Sequence, residues 1–246
     1  MVHESGGGSI PLNPEKLPAH VGIIMDGNGR WARARNQNRS EGHREGLRAS
    51  KRVVRAAAEI GIPYLSLYTF STENWKRTQE EVSFLMGLVH QHLRKEYEFY
   101  KENGIRLRYT GDMNGLSKAV REDILLAIDD TKDFNRLTVN LALNYGGRDE
   151  IVRAVRRWML ARGQDRDPAA FTEDELSSSM DNPDIPDPDL IIRSAGETRI
   201  SNFLIWEGAY AEYYFSEKLW PDWDSGDLYA ALAVYQNRVR KYGGVV

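Results

Sequence analysis

The chain has 246 residues, a net charge of −3, 41% hydrophobic and 28% charged residues, and no cysteine. That balance is enough for a real core. It excludes a disulfide framework, thiolate chemistry and a global field that would favour nucleic acid. No apolar run approaches the length of a membrane span, and "MVHESGGGSIPLNPEKLP" has no apolar signal region, so residues 1–16 read as a mobile lead-in to a domain over 17–244 of a cytosolic protein.

In chain order, "HVGIIMD" (20–26) is a short buried-strand pattern, and 41–61 repeats small or apolar residues at helical spacing. "PYLSLYTF" (63–70) predicts a second strand, 78–104 one long helix ending at a glycine stop, and "IRLRYTGD" (105–112) a third strand. A helix over 116–132, a strand over 137–147 broken by Gly-Gly, and helices over 148–163 and 172–180 follow. The strands "DLIIRSAG" (189–196) and "AEYYFS" (211–216) and a closing helix over 225–244 complete the chain. Strands alternating with helices predict one α/β domain with a central, mostly parallel sheet flanked by helices. Ligands in such folds sit beyond the carboxyl ends of the strands, which directs attention to the residues from Asp26, Ser71, Asn144 and Arg193 onward.

The first strand exit, "DGNGRWA" (26–32), matches the dinucleotide pattern G-x-G-x-x-A. Its context does not fit: no acid follows at the end of the next strand, and Asp26 would repel a pyrophosphate. A divalent cation bridging Asp26 to phosphate oxygens would make the acid useful there; otherwise Asp26 merely caps a glycine turn. Residues 26–52 carry eight Lys/Arg against three acids, a local excess of five positive charges beside a helix start, which suggests a phosphate or diphosphate. "RSAGETRISNF" (193–203) offers a second anion site, in which Arg193 and Arg199 can fork onto phosphate oxygens and Ser201 can cap.

The middle motif "FSTENWKR" (70–77) crowds Ser71, Glu73, Asn74, Trp75 and Arg77 at one strand exit. Glu81 fits a capping box, Thr78-Gln79-Glu80-Glu81, and equally a functional part. Val82, Leu85, Met86, Val89, Leu93 and Tyr100 form an apolar stripe that packs as core and would also wall a tunnel. "DDTKD" (129–133) spells the aspartate-rich pattern of helical prenyl synthases, but it stands alone at a helix end and reads as solvated surface.

Together "HVGIIMDGNGRWA", "GH" (42–43), "YTFSTENWKR", "NYGGRDEIV", "DLIIRSAGETRISNFLIWEGAYAEYYF" and "LWPDW" resemble the blocks of the cis-prenyltransferases, in that family's order. The resemblance implies a homodimeric transferase with an apolar product tunnel. Its reaction is the cis condensation of isopentenyl diphosphate onto an allylic diphosphate, here farnesyl diphosphate, with Mg²⁺. The implied product is undecaprenyl diphosphate, the carrier precursor for cell-wall polysaccharide, with membrane contact only through that product. By the same resemblance Asp26 and Glu212 hold the metal, and Gly27, Asn28, Gly29, Arg30 and Arg39 cradle the allylic diphosphate with Arg77 near. Trp31, Glu73 and Trp75 are placed beside them among the substrate-binding residues. His43, Ser71 and Asn74 are implied near the leaving group and the proton to be removed, while Arg193, Arg199 and Ser201 take isopentenyl diphosphate. Leu137 is implied as the tunnel floor. A short-chain synthase and a non-catalytic partner subunit of the same fold are the alternatives; the intact motifs argue against the second.

Overall fold

The computed structural model describes residues 2–5, 8–163 and 167–240, with side chains from residue 11 onward. Within the lead-in, β1 (Val2–Ser5) pairs antiparallel with β2 (Gly8–Pro11). The all-buried run β3 (His20–Ile24) delivers Asp26 and Gly27 to α1 (Asn28–Ala34). Gly27 caps α1 at φ +103°, and a Cβ there would meet Ala195 and Leu219 at 2.9 Å, so both backbone and space require glycine. The sequence pattern treats α1 as a turn; the structure makes it a helix whose first residues lie against the next one, α2 (Arg39–Ile60). Gly42 permits that approach, since a Cβ there would overlap the Asn28 carbonyl.

The chain continues through β4 (Tyr64–Ser71), α3 (Gln79–Lys95), α4 (Tyr97–Asn103), β5 (Ile105–Thr110), α5 (Lys118–Asp130) and β6 (Leu137–Tyr145). It closes with α6 (Gly147–Ala161), α7 (Glu173–Ser178), β7 (Leu190–Arg193), β8 (Glu212–Phe215) and α8 (Ser225–Gln236). The single helix expected over 78–104 is two helices that meet at Glu96. The expected closing helix ends at Gln236, whose amide exchanges hydrogen bonds with the Asn13 backbone, and residues 241–244 of that expectation lie outside the described residues.

Six strands form one sheet in the order β5-β6-β4-β3-β7-β8, every pair parallel. Its main core lies between one face and α2, α3, α5 and α8, around Val53, Leu65, Leu107, Leu137 and Leu232. The opposite face carries a smaller cluster, Ile24, Ala142, Tyr145, Ile191, Phe203 and Leu204. Because β4 and β7 flank β3 while leaving it in opposite directions along the sheet, the C-terminal ends of these three strands form a topological switch point, where ligands of such sheets bind. No helix among the described residues is long and apolar enough to cross a membrane.

Candidate active site

At that switch point Asp26, Gly27, Asn28, Gly29, Arg39, His43, Ser71, Glu73, Asn74, Arg77, Arg193, Ser201 and Asn202 line a polar cavity of ≈ 510 Å³. A neighbouring hollow of ≈ 440 Å³ shares Asp26, Gly27, Gly29 and Arg39 and adds Arg30, Arg33, Gln37 and Asn38. An apolar cavity of ≈ 140 Å³ lies between the sheet and α3, walled by Leu85, Met86, Val89 and Leu93 and by Leu107, Val139 and Leu141. Met25, Asn28, His43, Tyr68, Thr69 and Leu85 line both the polar and the apolar cavity, so one opens into the other.

Asp26 and Arg193, 167 residues apart, meet here. Arg193 is buried, and its Nη2 donates to Asp26 Oδ2 at 2.8 Å while Nη1 donates to Ser201 Oγ at 2.7 Å and to the Arg199 carbonyl. Its buried Nε–H has no partner among the described residues. An orphaned donor at the back of a polar cavity is what an anion would satisfy. Ser194 locks the Asp26 backbone, accepting from its N–H at 2.9 Å and donating to its carbonyl at 2.8 Å. Arg30 lies 3.7 Å from Asp26 and 3.3 Å from Glu197. Neither Ser194 nor Glu197 was singled out in the sequence, although both stand inside the "RSAGET" run.

The side of the cavity formed by Arg39, His43 and Arg77 is organised by Glu81. Thr78 caps the Glu81 N–H at 3.4 Å, but the carboxylate turns away from the helix end. It receives Arg77 Nη1 at 2.8 Å and Arg39 Nε at 3.1 Å, and lies 3.5 Å from His43 Nε2. Glu81 thus gathers three polar groups of the cavity onto one acid. Burial lowers the His43 pKa from 6.5 to about 4 against the pull of Glu81, with Arg77 and Arg39 adding to the drop. The imidazole is therefore neutral at neutral pH and available for hydrogen bonding.

Asn74 also has a local role. Its Oδ1 accepts the Ser71 N–H at 3.2 Å in a reciprocal capping box, which leaves the amide NH₂ to face the cavity. Burial would raise the Glu73 carboxyl, but hydrogen bonds from its own N–H, Ser71, Asn202 and Thr72 outweigh it and hold the carboxyl low.

Five expected residues stand elsewhere. Trp31 donates its indole N–H to Asp222 at 2.6 Å with Arg35 stacked 4.2 Å above it, and Trp75 donates to Asn144 at 2.6 Å; neither lines the cavity. Arg199 is 62% exposed and pairs with Glu197 at 2.5 Å, outside the lining, while only its carbonyl reaches Arg193. Glu212 opens β8 opposite Leu190, paired with Arg238 at 2.6 Å. That position is three rungs, about 10 Å, before Arg193 along the sheet, so within one chain it does not share an ion with Asp26. Leu137 is fully buried but sits one layer below the cavity, opposite Ile105, while Val139 and Leu107 form the lining.

A polar cavity lined by Arg39, Arg77 and Arg193, opening onto an apolar cavity on a parallel sheet, suits a ligand with an anionic head and a hydrocarbon tail. The comparisons agree. A family model described as "Putative undecaprenyl diphosphate synthase" matches residues 24–243. An isoprenyl transferase of Treponema denticola is 46% identical over 224 residues, covering 91% of this chain and 96% of its own. A decaprenyl diphosphate synthase of Mycobacterium leprae is 46% identical, covering 94% and 79%. The crystal structure of lavandulyl diphosphate synthase from Lavandula x intermedia with dimethylallyl diphosphate superposes with a TM-score of 0.89 at 34% identity, covering 93% and 99%. The chain belongs to the undecaprenyl diphosphate synthase family of isoprenyl transferases.

Proposed function

We propose that residues 17–244 form the catalytic domain of a medium-chain cis-prenyltransferase. It would extend farnesyl diphosphate with successive isopentenyl diphosphates to undecaprenyl diphosphate, the lipid carrier precursor for cell-wall polysaccharide. The observation that carries the reading is the shared wall of the two cavities: a diphosphate held among Asp26, Asn28, Arg39 and Arg77 projects its hydrocarbon past His43 and Leu85 toward α3. Arg193 and Ser201, on the other side of Asp26, offer the second diphosphate site, with Arg199 at its rim.

The donor set fits Mg²⁺. Asp26 is a half-exposed carboxylate beside two polar cavities, and magnesium is commonly held by one or two carboxylates with substrate phosphates completing its shell. Bound there, the ion would neutralise charge on a departing diphosphate. Arg39 and Arg77 stabilise the same developing charge from the allylic side. Arg193 orients Asp26 and, through its free Nε–H, adds a donor for a second anion. Neutral His43 stands on the wall shared by the two cavities and the Asn74 amide lines the polar one, each placed to hydrogen-bond a diphosphate oxygen.

Homodimerisation is part of the reading. It is supported by the edge of β8, unpaired among the described residues, and by exposed Val152, Met159 and Leu160 on one face of α6, and light scattering tests it. The function is tested by incubation with labelled isopentenyl diphosphate, farnesyl diphosphate and Mg²⁺, followed by chromatography. Long polyprenyl diphosphates are expected. No incorporation, or a product of only three or four isoprene units, would refute the medium-chain reading.

A further inference from the structure

On the face of the sheet away from the apolar cavity lies a group of buried acids that the chemistry above does not use. Glu150, in the first turn of α6, is 1% exposed, and its Oε1 accepts the Asp181 N–H at 3.1 Å. Glu207, from the segment between Ser201 and β8, brings its carboxyl against that of Glu150. As two carboxylates they would have no donor between them, and Oε2 of each is buried without one among the described residues. One shared proton satisfies both oxygens.

The surroundings decide where the proton sits. Glu150 has the helix N-terminus and the Asp181 N–H to favour its charge. Glu207 has its own N–H to favour its charge, but burial and the Glu150 charge outweigh it and push it up to about 9, with Asp187 adding to the field. Burial, and after it the Asp181 charge, raise Glu150, while the Tyr145 hydroxyl that faces it works against the rise. Tyr145 in turn is edge-on to Tyr68. Arg153 is taken by Asp149 and Asp181, and Arg157 by Asp181.

This pair sits under a loop that needs support. Ser201, Asn202 and Leu204 hold φ values of +47°, +65° and +42°, which side-chain-bearing residues keep only when their surroundings over-determine them. Asn202 is tied to α6 through Gly147 N–H at 2.7 Å and Arg148 N–H at 2.9 Å. Tyr145 packs on Phe203 at 6.2 Å and Tyr68 at 5.9 Å, Tyr68 stacks on Phe203 at 4.6 Å, and the Tyr68 hydroxyl donates to the Ser201 carbonyl at 3.2 Å. A contiguous path therefore runs from the acid pair to Ser201 and on to Arg193.

We propose that Glu207 is a positioning residue: the proton it shares with Glu150 pins the 201–207 loop and so holds Ser201 and Arg193 in place for the second diphosphate. Naming that ligand as isopentenyl diphosphate rests on the function proposed above. Loss of the proton places two charges side by side away from water, and the loop yields.

The test is the KM for isopentenyl diphosphate between pH 7 and 10, with farnesyl diphosphate saturating, in wild type, Glu207→Gln and Glu207→Ala. In wild type KM stays flat to about pH 9 and then rises about tenfold per pH unit, the signature of one proton. Glutamine donates without titrating, so Glu207→Gln keeps the neutral-pH KM and loses the alkaline rise. Glu207→Ala raises KM at every pH while kcat changes little. Melting curves test the pair without substrate. A carboxyl raised in the fold loses stability as pH climbs from its unfolded value toward its folded one, so the wild-type midpoint falls between about pH 5 and 9 more steeply than that of Glu207→Gln. An alkaline rise unchanged in Glu207→Gln, or Ala and Gln variants that behave alike, overturns the proposal. If wild type elongates nothing, the substrate reading falls instead. Parallel melting curves, or inorganic pyrophosphate affinities equal in all three proteins, then overturn the positioning role.

Discussion

Replacing Arg193 and Arg199 singly should give different kinetic signatures, because the structure gives the two guanidiniums different partners. Arg199 is 62% exposed and, among the described residues, its guanidinium is held by Glu197. Such a surface pair is worth about 0–1 kcal/mol, so Arg199→Ala leaves the fold almost untouched. A charged hydrogen bond to a diphosphate is worth about 1.5–3 kcal/mol, from which the cost of leaving Glu197 is subtracted. The net of about 1–2 kcal/mol predicts a roughly 5- to 30-fold rise in KM for isopentenyl diphosphate and no change for farnesyl diphosphate. Arg193 is 5% exposed and bridges Ser201 to Asp26. Arg193→Ala therefore raises the isopentenyl diphosphate KM by about 10- to 150-fold and also lowers kcat, because Asp26 loses its orienting partner. Removing one partner of a buried pair costs about 3–5 kcal/mol, and since Asp26 is 34% exposed the stability loss falls below that range. At about 2 kcal/mol the melting midpoint drops by about 4–8 °C. Steady-state kinetics with each substrate varied in turn, together with calorimetry, measure all of this. Equal KM losses for both substrates in Arg199→Ala would refute the two-site assignment. An unchanged kcat in a folded Arg193→Ala protein would refute the bridge to Asp26.

Glu81→Ala should raise the farnesyl diphosphate KM and lower kcat, since Arg39, Arg77 and His43 lose their common anchor, whereas Thr78→Ala, which removes only the cap, should cost about 1 kcal/mol of stability and leave kinetics alone. Burial lowers His20, His43 and His92 from 6.5 to about 4, so the folded state binds fewer protons than the unfolded one in that window. The part of the stability that depends on these imidazoles should be complete above pH 6.5 and be lost as pH drops toward 4, by at most about 1.4 kcal/mol per pH unit for each imidazole, in melts recorded across that range. Leu137→Ala should lengthen the products, since Leu137 and Ile105 form the layer about 6.6 Å below the cavity lining at Val139 and Leu107. The Leu→Ala change also costs about 2–5 kcal/mol, so an unchanged length distribution from folded protein would sink the floor assignment. Asp129→Asn should leave turnover unchanged, because Asp129 is an exposed partner of Lys132; a large rate loss would revive the aspartate-rich motif.

The sheet was legible because its strands are short apolar runs that end on glycine or polar residues, a signal set by the chain itself. All six predicted strands pair, and all in parallel. Tertiary partners decided the rest. The apolar stripe runs at helical spacing straight through Glu96, so nothing local announces the break between α3 and α4; Lys51, reaching Glu96 from α2 at 2.5 Å, is visible only in the fold. Glu81 spells a helix cap, yet its carboxylate goes to two arginines and a histidine brought from other elements or the next turn. Asn74, with no evident local duty in the sequence, caps Ser71, while Trp31 and Trp75 answer to Asp222 and Asn144 rather than to the cavity. Motif residues thus mark where the site lies better than which atoms face it. The pairing of Asp26 with Arg193 makes the point physically. Two motifs 167 residues apart, which the sequence separates into a metal acid and a second diphosphate site, share one hydrogen-bonded charge pair. On the function proposed above, a substitution of either partner of that pair is expected to act on both substrates, whereas Arg199 stands outside it.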